Sequence, residues 1–282
     1  MRGNSGASLC FQGDFVLKEC GNAKDQYDWF SAADLVGMID GFRLPHTRLV
    51  DEHSYEIEYV HGYSATQITS VQDFARLVKL IEHWEKQPTE TLGSWFNYLR
   101  RLEQHVAEGN SEEMRNAFHL ASQYELPSSF GHGDLTLENV LVEKDGGMVL
   151  IDPNYSQGLF QSYILDYGKL LQSVHSDYHR VFNSSPGEDP APLLAWFRKY
   201  LEERGLWEAA LVAELTHIMR LRKYRPEGER SMVDALLRKV MKEIEGARAV
   251  NPTSGRLFRP GKPAILSAWE GHSLHSRPPY TP

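Results

Sequence analysis

One short segment of the chain places two carboxylates and an amide around a predicted β-hairpin. Asp134 lies five residues before Asn139, and a second aspartate, Asp152, follows thirteen residues after that. Between Asn139 and Asp152, two apolar runs flank a Lys-Asp-Gly-Gly turn, a pattern that is typical of a hairpin. The hairpin would hold Asn139 and Asp152 side by side at neighbouring strand ends. This spacing is a geometric requirement, because one cation must touch both groups.

These residue types, in this order, indicate a phosphoryl-transfer site. Asp134 would accept the proton of an attacking hydroxyl or orient that hydroxyl. Asn139 and Asp152 would hold the Mg²⁺ that neutralises the phosphates of a nucleotide. Taken singly, Asp134 is equally well explained as a loop residue and Asn139 as a turn-capping amide. The combination with Asp152 favours the functional interpretation, and we interpret His132 as structural, packed behind the loop.

Length and composition are those of a globular protein with one large domain or two lobes that share a cleft. The chain has 282 residues, of which 41% are hydrophobic and 24% charged. No apolar run approaches the roughly 20 residues that a membrane-spanning helix needs, and the first residues do not form a secretory signal. We therefore expect a cytoplasmic protein without a membrane partner, in which Cys10 and Cys20 are reduced. A net charge of −8 argues against a nucleic-acid partner.

The order of apolar patterns along the chain predicts an α+β protein built as two lobes. Residues 1–62 contain β-prone runs and one helix, near 25–39, and form a predicted nucleotide-binding lobe that ends in a hinge. Residues 63–249 are mainly helical and carry the catalytic hairpin. Residues 250–282 lack periodicity and are predicted to be an extended or poorly ordered tail. Helices of the second lobe are predicted near 71–86, 90–107, 111–125, 163–177, 188–203, 206–223 and 230–247.

The residues that bind the phosphates of a nucleotide are expected in the first lobe. Residues 3–8 form a small-residue turn before a strand, and the N–H groups of Ser5, Gly6 and Ala7 would approach phosphate oxygens there. Lys18 ends an apolar strand, where a lysine is costly to bury unless it meets an anion. We predict that Lys18 contacts the α- and β-phosphates; the alternative is a solvated lysine on an edge strand.

Two further predictions complete the nucleotide site. A helix acid is expected to hold Lys18 in place, and we favour Asp28, with a solvated acidic face as the alternative. The strand near residues 55–60 would join the lobes, and its backbone from Glu58 to Val60 would hydrogen-bond an adenine edge. The acids available on the predicted helix are Asp25, Asp28 and Asp34.

The order of these segments resembles the aminoglycoside phosphotransferase and choline kinase family within the kinase-like fold. A glycine between His132 and Asp134, where protein kinases have arginine, indicates the small-molecule branch, as does the lack of an Ala-Pro-Glu segment after Asp152. The resemblance covers about residues 3–247 and is strongest over 130–172, where it is similar to bacterial proteins found with capsule and surface-sugar biosynthesis. It is carried by the small-residue loop, Val-Leu-Lys at 16–18, Glu-Tyr-Val-His-Gly at 58–62, His-Gly-Asp-x₄-Asn at 132–139 and Ile-Asp-Pro at 151–153.

The resemblance implies a Mg²⁺-assisted transfer of the γ-phosphoryl group of ATP or GTP to a small-molecule hydroxyl, in a cleft between the lobes. Carried onto this chain, it makes Lys18 the phosphate lysine, Asp134 the base, and Asn139 and Asp152 the metal ligands. The chain departs from the family in two ways. Pro153 follows Asp152, and the first lobe would lack one edge strand unless a second copy in a homodimer completes the sheet.

Three functions stay open from the sequence. The first is a small-molecule kinase whose acceptor is a sugar, an amino alcohol or an aminoglycoside-like compound. The second is a nucleotide-binding pseudo-kinase scaffold that regulates a partner, and the third is a protein kinase. Glu138, Asp166 and Asp177 would line a pocket for a cationic amine, although Asp166 is also explained as a helix-start residue that braces the His-Gly-Asp loop.

Overall fold

Two β-sheets and nine described helices make up the protein, in the α+β arrangement that the sequence predicts. The computed structural model describes residues 7–87, 93–109, 111–155, 159–183 and 189–250. The strands are β1 (Ser8–Gln12), β2 (Phe15–Glu19), β3 (Phe42–Arg43), β4 (Thr47–Asp51), β5 (Ser54–Glu58), β6 (Gly62–Ser64), β7 (Val140–Glu143) and β8 (Met148–Leu150). The helices are α1 (Ala23–Val36), α2 (Val71–Glu85), α3 (Trp95–Gly109), α4 (Glu112–Ala121), α5 (Tyr163–Val174), α6 (Tyr178–Asn183), α7 (Ala191–Glu203), α8 (Trp207–Leu221) and α9 (Arg230–Val250).

The first lobe is a four-stranded antiparallel sheet in the order β1-β2-β5-β4, with α1 against β4 and β5. The β1–β2 hairpin is confirmed, and Gly13 in its turn has a φ of +66°, which favours glycine. Among the described residues β1 is the edge strand on this side of the sheet, and the expected lack of a further edge strand stays a prediction. The strand β4 was not predicted.

The second sheet is built around the predicted hairpin of β7 and β8, in the order β3-β8-β7-β6. Val140 pairs with Leu150, so the start of β7 and the end of β8, both away from the turn, lie together. The short strand β3 pairs in parallel with β8, and β6 pairs with β7. Strands β3 and β6 come from segments that belong to or adjoin the first lobe. The first lobe therefore contacts both edges of the hairpin, β8 through β3 and β7 through β6.

The helical lobe is organised around α5 and α8, which are buried along nearly their whole length. Gly168 permits their close approach, because a Cβ there would lie 2.6 Å from the Cβ of Ala213. Ser70 caps the start of α2, where its hydroxyl accepts a hydrogen bond from the Asp73 N–H at 3.3 Å. Most predicted helices are confirmed with ends shifted by a few residues, whereas the short helix α6 was not predicted. Within the described ranges, no helix is long and apolar enough to cross a bilayer.

Two predictions fall outside the described residues. Ser5 and Gly6 of the small-residue turn precede the first described residue, Ala7, which is buried at the start of β1. Residues 251–282 of the predicted tail follow the last one, at the end of α9.

Candidate active site

The His-Gly-Asp loop and the hairpin bring Asp134 and Asn139 into direct contact. The Nδ2 group of Asn139 donates to the backbone oxygen of Asp134 at 2.8 Å and to its Oδ2 at 3.1 Å. Both amide hydrogens are therefore used, and the amide oxygen of Asn139 is left for another partner. The Ile151 N–H donates to the backbone oxygen of Asn139 at 3.0 Å, so the adjacent Asp152 lies at the neighbouring strand end.

The oxygen donors at these strand ends suit Mg²⁺. The carboxylate of Asp152 and the amide oxygen of Asn139 are hard ligands, and Mg²⁺ usually combines one or two such groups with water and substrate phosphates. Within the described part of the chain, no group of three or more His, Cys, Asp or Glu side chains would hold a metal by itself.

Asp152 has a strained backbone and an ion pair that links the two lobes. Its φ of 59° lies in the left-handed region, which is uncommon for a residue other than glycine and is often found at functional sites. Its carboxylate pairs with the ammonium group of Lys18. The Lys18 side chain is only 8% exposed, so the alternative of a solvated edge lysine is wrong. Lys18 instead points from β2 toward the end of the hairpin.

The prediction that Asp28 holds Lys18 is also wrong. Asp28 lies on the outer face of α1 and pairs with Lys24 at 2.6 Å, one helical turn away. The buried position on the inner face is Gln26, which accepts a hydrogen bond from the Tyr55 hydroxyl at 3.1 Å. Because α1 presents a neutral amide there, Lys18 takes its carboxylate partner from Asp152 in the other lobe.

Glu58 at the end of β5 has a structural partner. Arg43 donates two hydrogen bonds of 2.9 Å to the Glu58 carboxylate and bonds of 2.9 and 2.7 Å to Glu143 on the hairpin. The hydrogen bonds from Arg43 lower the pKa of Glu58. Glu58 therefore links the segment after β5 to the β7–β8 hairpin through its side chain, and the adenine contact of its backbone carbonyl stays a prediction.

The hinge that follows β5 is partly bonded within the protein. The Glu58 N–H donates to His46 and the Tyr59 N–H donates to Asp14, each at 2.8 Å. Val60 is buried. The predicted contact of the Val60 backbone with adenine stays a prediction.

Asp134 forms an ion pair that the sequence did not predict. The Lys169 ammonium lies 2.8 Å from Oδ1 of Asp134, and the side chains are 9% and 35% exposed respectively. Lys169 is thus enclosed, while Asp134 can still be reached by a substrate. Burial raises the pKa of Asp134, but the charge and hydrogen bond of Lys169 outweigh it and lower that pKa to about 2. Asp134 is therefore ionised at neutral pH, as an acceptor of a hydroxyl proton must be.

Asp166 braces the His-Gly-Asp loop, which confirms the structural interpretation of this residue. Its two carboxylate oxygens accept the N–H groups of His132 at 2.8 Å and Gly133 at 2.9 Å. Burial raises the pKa of Asp166 to about 7, although these hydrogen bonds oppose the rise. Ser173 accepts the Leu137 N–H at 3.2 Å. One face of α5 therefore holds the loop at several points.

Backbone geometry explains the glycine of this loop. Gly133 has a φ of +75°, and a Cβ there would lie 2.4 Å from the backbone oxygen of Asn154. An arginine at this position would not fit. His132 is fully buried against the Trp29 ring at 4.9 Å, and burial lowers its pKa to about 4. The expected structural role of His132 is confirmed.

Replacing Lys169 with methionine is expected to move the acidic limb of the pH profile of kcat/KM toward higher pH. Lys169 is what depresses the pKa of Asp134, so its removal leaves burial, which raises that pKa. Asp134 would then lose its negative charge as pH falls through a higher value than in the parent protein. The check is a pH series of kcat/KM, with Lys169→Arg as the charge-retaining control. An acidic limb that stays in place in Lys169→Met would contradict this assignment.

No protein-family model matches the sequence, and no curated protein matches it significantly. Solved structures with the same fold do match. A choline/ethanolamine kinase family protein from Mesorhizobium loti has a TM-score of 0.56 at 18% identity, covering 88% of this chain and 89% of that one. The choline kinase from Streptococcus pneumoniae has a TM-score of 0.55 at 12% identity, covering 85% and 89%. An aminoglycoside 2′-phosphotransferase in complex with GDP has a TM-score of 0.51 at 14% identity, covering 84% and 89%.

These structural neighbours are the kinds of protein that the sequence motifs resemble. At such identities the likeness establishes the two-lobed, kinase-like fold, and the predicted fold class is confirmed.

Proposed function

We propose that this protein is a small-molecule kinase that transfers the γ-phosphoryl group of ATP or GTP to a hydroxyl group with the help of Mg²⁺. The observation that carries the proposal is the junction at the hairpin ends. There Asn139 contacts Asp134, and Asp152 pairs with Lys18 from the opposite lobe. The kinase-like fold and a GDP complex among the structural neighbours support nucleotide binding at this junction.

In the proposed reaction the acceptor oxygen attacks the γ-phosphorus and the bond from phosphorus to the bridging oxygen breaks. The nucleoside diphosphate leaves, and Asp134 takes the proton of the hydroxyl. Lys18 exchanges Asp152 for phosphate oxygens and neutralises their charge. Asn139 and Asp152 would hold Mg²⁺, which supplies further charge neutralisation. Positioning and electrostatics would account for most of the rate.

A nucleotide-binding scaffold is the second candidate, and a specific observation favours it. Lys18 is engaged with Asp152, and Gln26 stands where a helix acid would otherwise hold the lysine. A protein whose lysine stays on Asp152 would bind nucleotide without transferring a phosphoryl group.

A homodimer, in which a second copy of the chain extends the first sheet at β1, remains a separate prediction.

Isothermal titration with Mg·ATP tests the proposal together with the variant Lys18→Met. The parent protein is expected to bind, and loss of a charged phosphate contact should weaken binding by about 10- to 100-fold. Lys24→Met is the matched control, because Lys24 lies on the outer face of α1. Equal affinity in the parent and Lys18→Met would remove Lys18 from the phosphate site.

The same protein is then incubated with labelled ATP, a panel of hydroxyl compounds and an added protein substrate. Label on small molecules supports the proposed kinase. Binding without transfer favours the scaffold, and label on the added protein favours a protein kinase.

A further inference from the structure

The indole ring of Trp29 joins the first lobe to the segment that carries Asp134. Trp29 lies on α1 and is fully buried. Its Nε1–H group donates a hydrogen bond of 2.8 Å to the backbone oxygen of Gly131, three residues before Asp134. The same ring packs edge-on against the His132 ring, with centroids 4.9 Å apart, and is stacked with the Phe130 ring at 5.9 Å. A side chain of the first lobe is therefore in direct contact with the His-Gly-Asp loop.

The peptide group between Gly131 and His132 is hydrogen-bonded to both lobes. Its carbonyl oxygen accepts from Trp29, and its N–H donates to the Asp166 carboxylate of α5 at 2.8 Å. Because a peptide group is planar, neither of these two atoms can turn without the other. The orientation of this peptide group, and with it the path of the chain toward Asp134, depends on both contacts at once.

The other described hydrogen bonds of residues 130–134 come from the second lobe. Asp166 accepts two backbone N–H groups, and the Asn154 N–H donates to the backbone oxygen of His132 at 3.0 Å. Within the described ranges, Trp29 thus provides the one hydrogen bond that the first lobe makes to this loop. Without it, the loop would be held from one side.

The same face of α1 also contacts the surroundings of Lys18. Gln26 lies three residues before Trp29, on the same side of the helix, and accepts a hydrogen bond from the Tyr55 hydroxyl at 3.1 Å. The Tyr55 side chain is fully buried, and the ammonium group of Lys18 lies 6.0 Å from the centre of its ring. One helix therefore connects Lys18, through Tyr55, with the peptide group that precedes Asp134.

We propose that Trp29 is a positioning residue, which fixes Asp134 of the second lobe relative to Lys18 and the phosphates of the nucleotide. This inference rests on the proposed kinase function and deepens it. In the transfer step the acceptor oxygen must lie within about 3.5 Å of the γ-phosphorus and in line with the bond that breaks. Lys18 holds the phosphates, whereas Asp134 holds the acceptor hydroxyl. A small shift of the loop therefore slows transfer and leaves nucleotide binding unchanged.

The variant Trp29→Phe tests the proposal, because it removes the indole N–H and keeps an aromatic ring. The single-turnover rate constant at saturating Mg·ATP should fall by about 10- to 100-fold, since small errors in the placement of reacting groups are costly. This rate constant does not depend on the fraction of the protein that is active. The Kd and KM for Mg·ATP should stay near the parent values.

Trp84→Phe is the matched control. Trp84 is also fully buried, and its ring lies 6.3 Å from that of Trp29 and 5.7 Å from that of Phe130. Within the described ranges its indole N–H has no hydrogen-bond partner. The control therefore removes the same atoms from the same aromatic cluster without removing a bond to the loop. Both variants should unfold at a lower temperature than the parent, because each leaves a cavity, but only Trp29→Phe should transfer slowly.

Hydrogen–deuterium exchange gives a readout that does not depend on activity. The N–H groups of His132 and Gly133 are bonded to Asp166, and a loop released from α1 should open more often. Their exchange should be faster than in the parent by about 5- to 10-fold in Trp29→Phe, as expected for one lost hydrogen bond, and unchanged in Trp84→Phe. Exchange in α8 serves as the reference for unfolding of the whole chain.

The parent rate constant in a folded Trp29→Phe protein would overturn the inference, and so would an equal loss of rate in both variants. Equal exchange of the loop in the two variants would overturn it as well. Absence of nucleotide binding or transfer in the parent protein would instead refute the proposed function, and the exchange result would then decide alone whether Trp29 positions the loop. If Trp29→Phe does not fold, Trp29→Met takes its place, because a flexible methionine fills irregular space.

Discussion

Replacing Asp134 with asparagine is expected to lower kcat by about 10²- to 10⁴-fold, the usual contribution of a proton-accepting side chain. The amide has nearly the same shape as the carboxylate, so its oxygen can still accept from Lys169. It cannot take up the hydroxyl proton, and it no longer supplies the negative charge that is present at neutral pH. The measurement is single-turnover transfer to the identified acceptor at saturating Mg·ATP. KM for Mg·ATP should change little.

Asp145→Asn is the matched control, because Asp145 is an exposed turn residue of the same hairpin. It should keep the parent kcat and the parent unfolding temperature. Full activity in a folded Asp134→Asn protein would rule out the proposed proton transfer.

Replacing Asp152 with asparagine should reduce kcat by about 10³-fold through lost charge stabilisation of the phosphates. Asparagine tolerates the left-handed backbone of this position, so the change isolates the charge from the conformation. The variant should also lose the effect of Mg²⁺ on nucleotide binding. Affinity for metal-free ADP should be kept or increased, because Lys18 is released from its ion pair.

Titrations of ADP with and without Mg²⁺ measure these effects. Asp177→Asn controls for stability, because Asp177 also has a positive φ, of 48°. The two variants should unfold at similar temperatures. A Mg²⁺ effect that survives in Asp152→Asn would mean that another group holds the cation.

Local patterns predicted the parts of this site that are close together in the chain. The hairpin between Asn139 and Asp152 follows from two apolar runs and a glycine turn, and this spacing alone places their strand ends together. The bracing role of Asp166 could also be anticipated, because an acid in a first helical turn has few other functions when buried. The buried position of Lys18 follows from its place at the end of an apolar strand.

Contacts between distant segments were missed or wrongly assigned. Lys169 lies in an apolar helix, and the argument applied to Lys18 would have singled it out: a buried ammonium needs an anion. Which anion it meets depends on how α5 packs against the loop. Asp28 was wrongly predicted as the partner of Lys18, because the direction in which each face of α1 points depends on the packing of that helix. The short strand β3 has only two residues, and its pairing with β8 leaves no periodic pattern to detect.

The guanidinium group of Arg43 has a consequence for how the two lobes of the protein would move. It fastens the hinge residue Glu58 to Glu143, and β3 adds main-chain bonds between the same two halves of the molecule. Swinging the halves apart would break the two charged hydrogen bonds from Arg43 to Glu143 together with the main-chain pairing of β3 with β8, so a wide clamshell motion is opposed. Nucleotide exchange is therefore expected to rely on local motion of the chain around the phosphates, while the angle between the two halves of the molecule stays nearly constant.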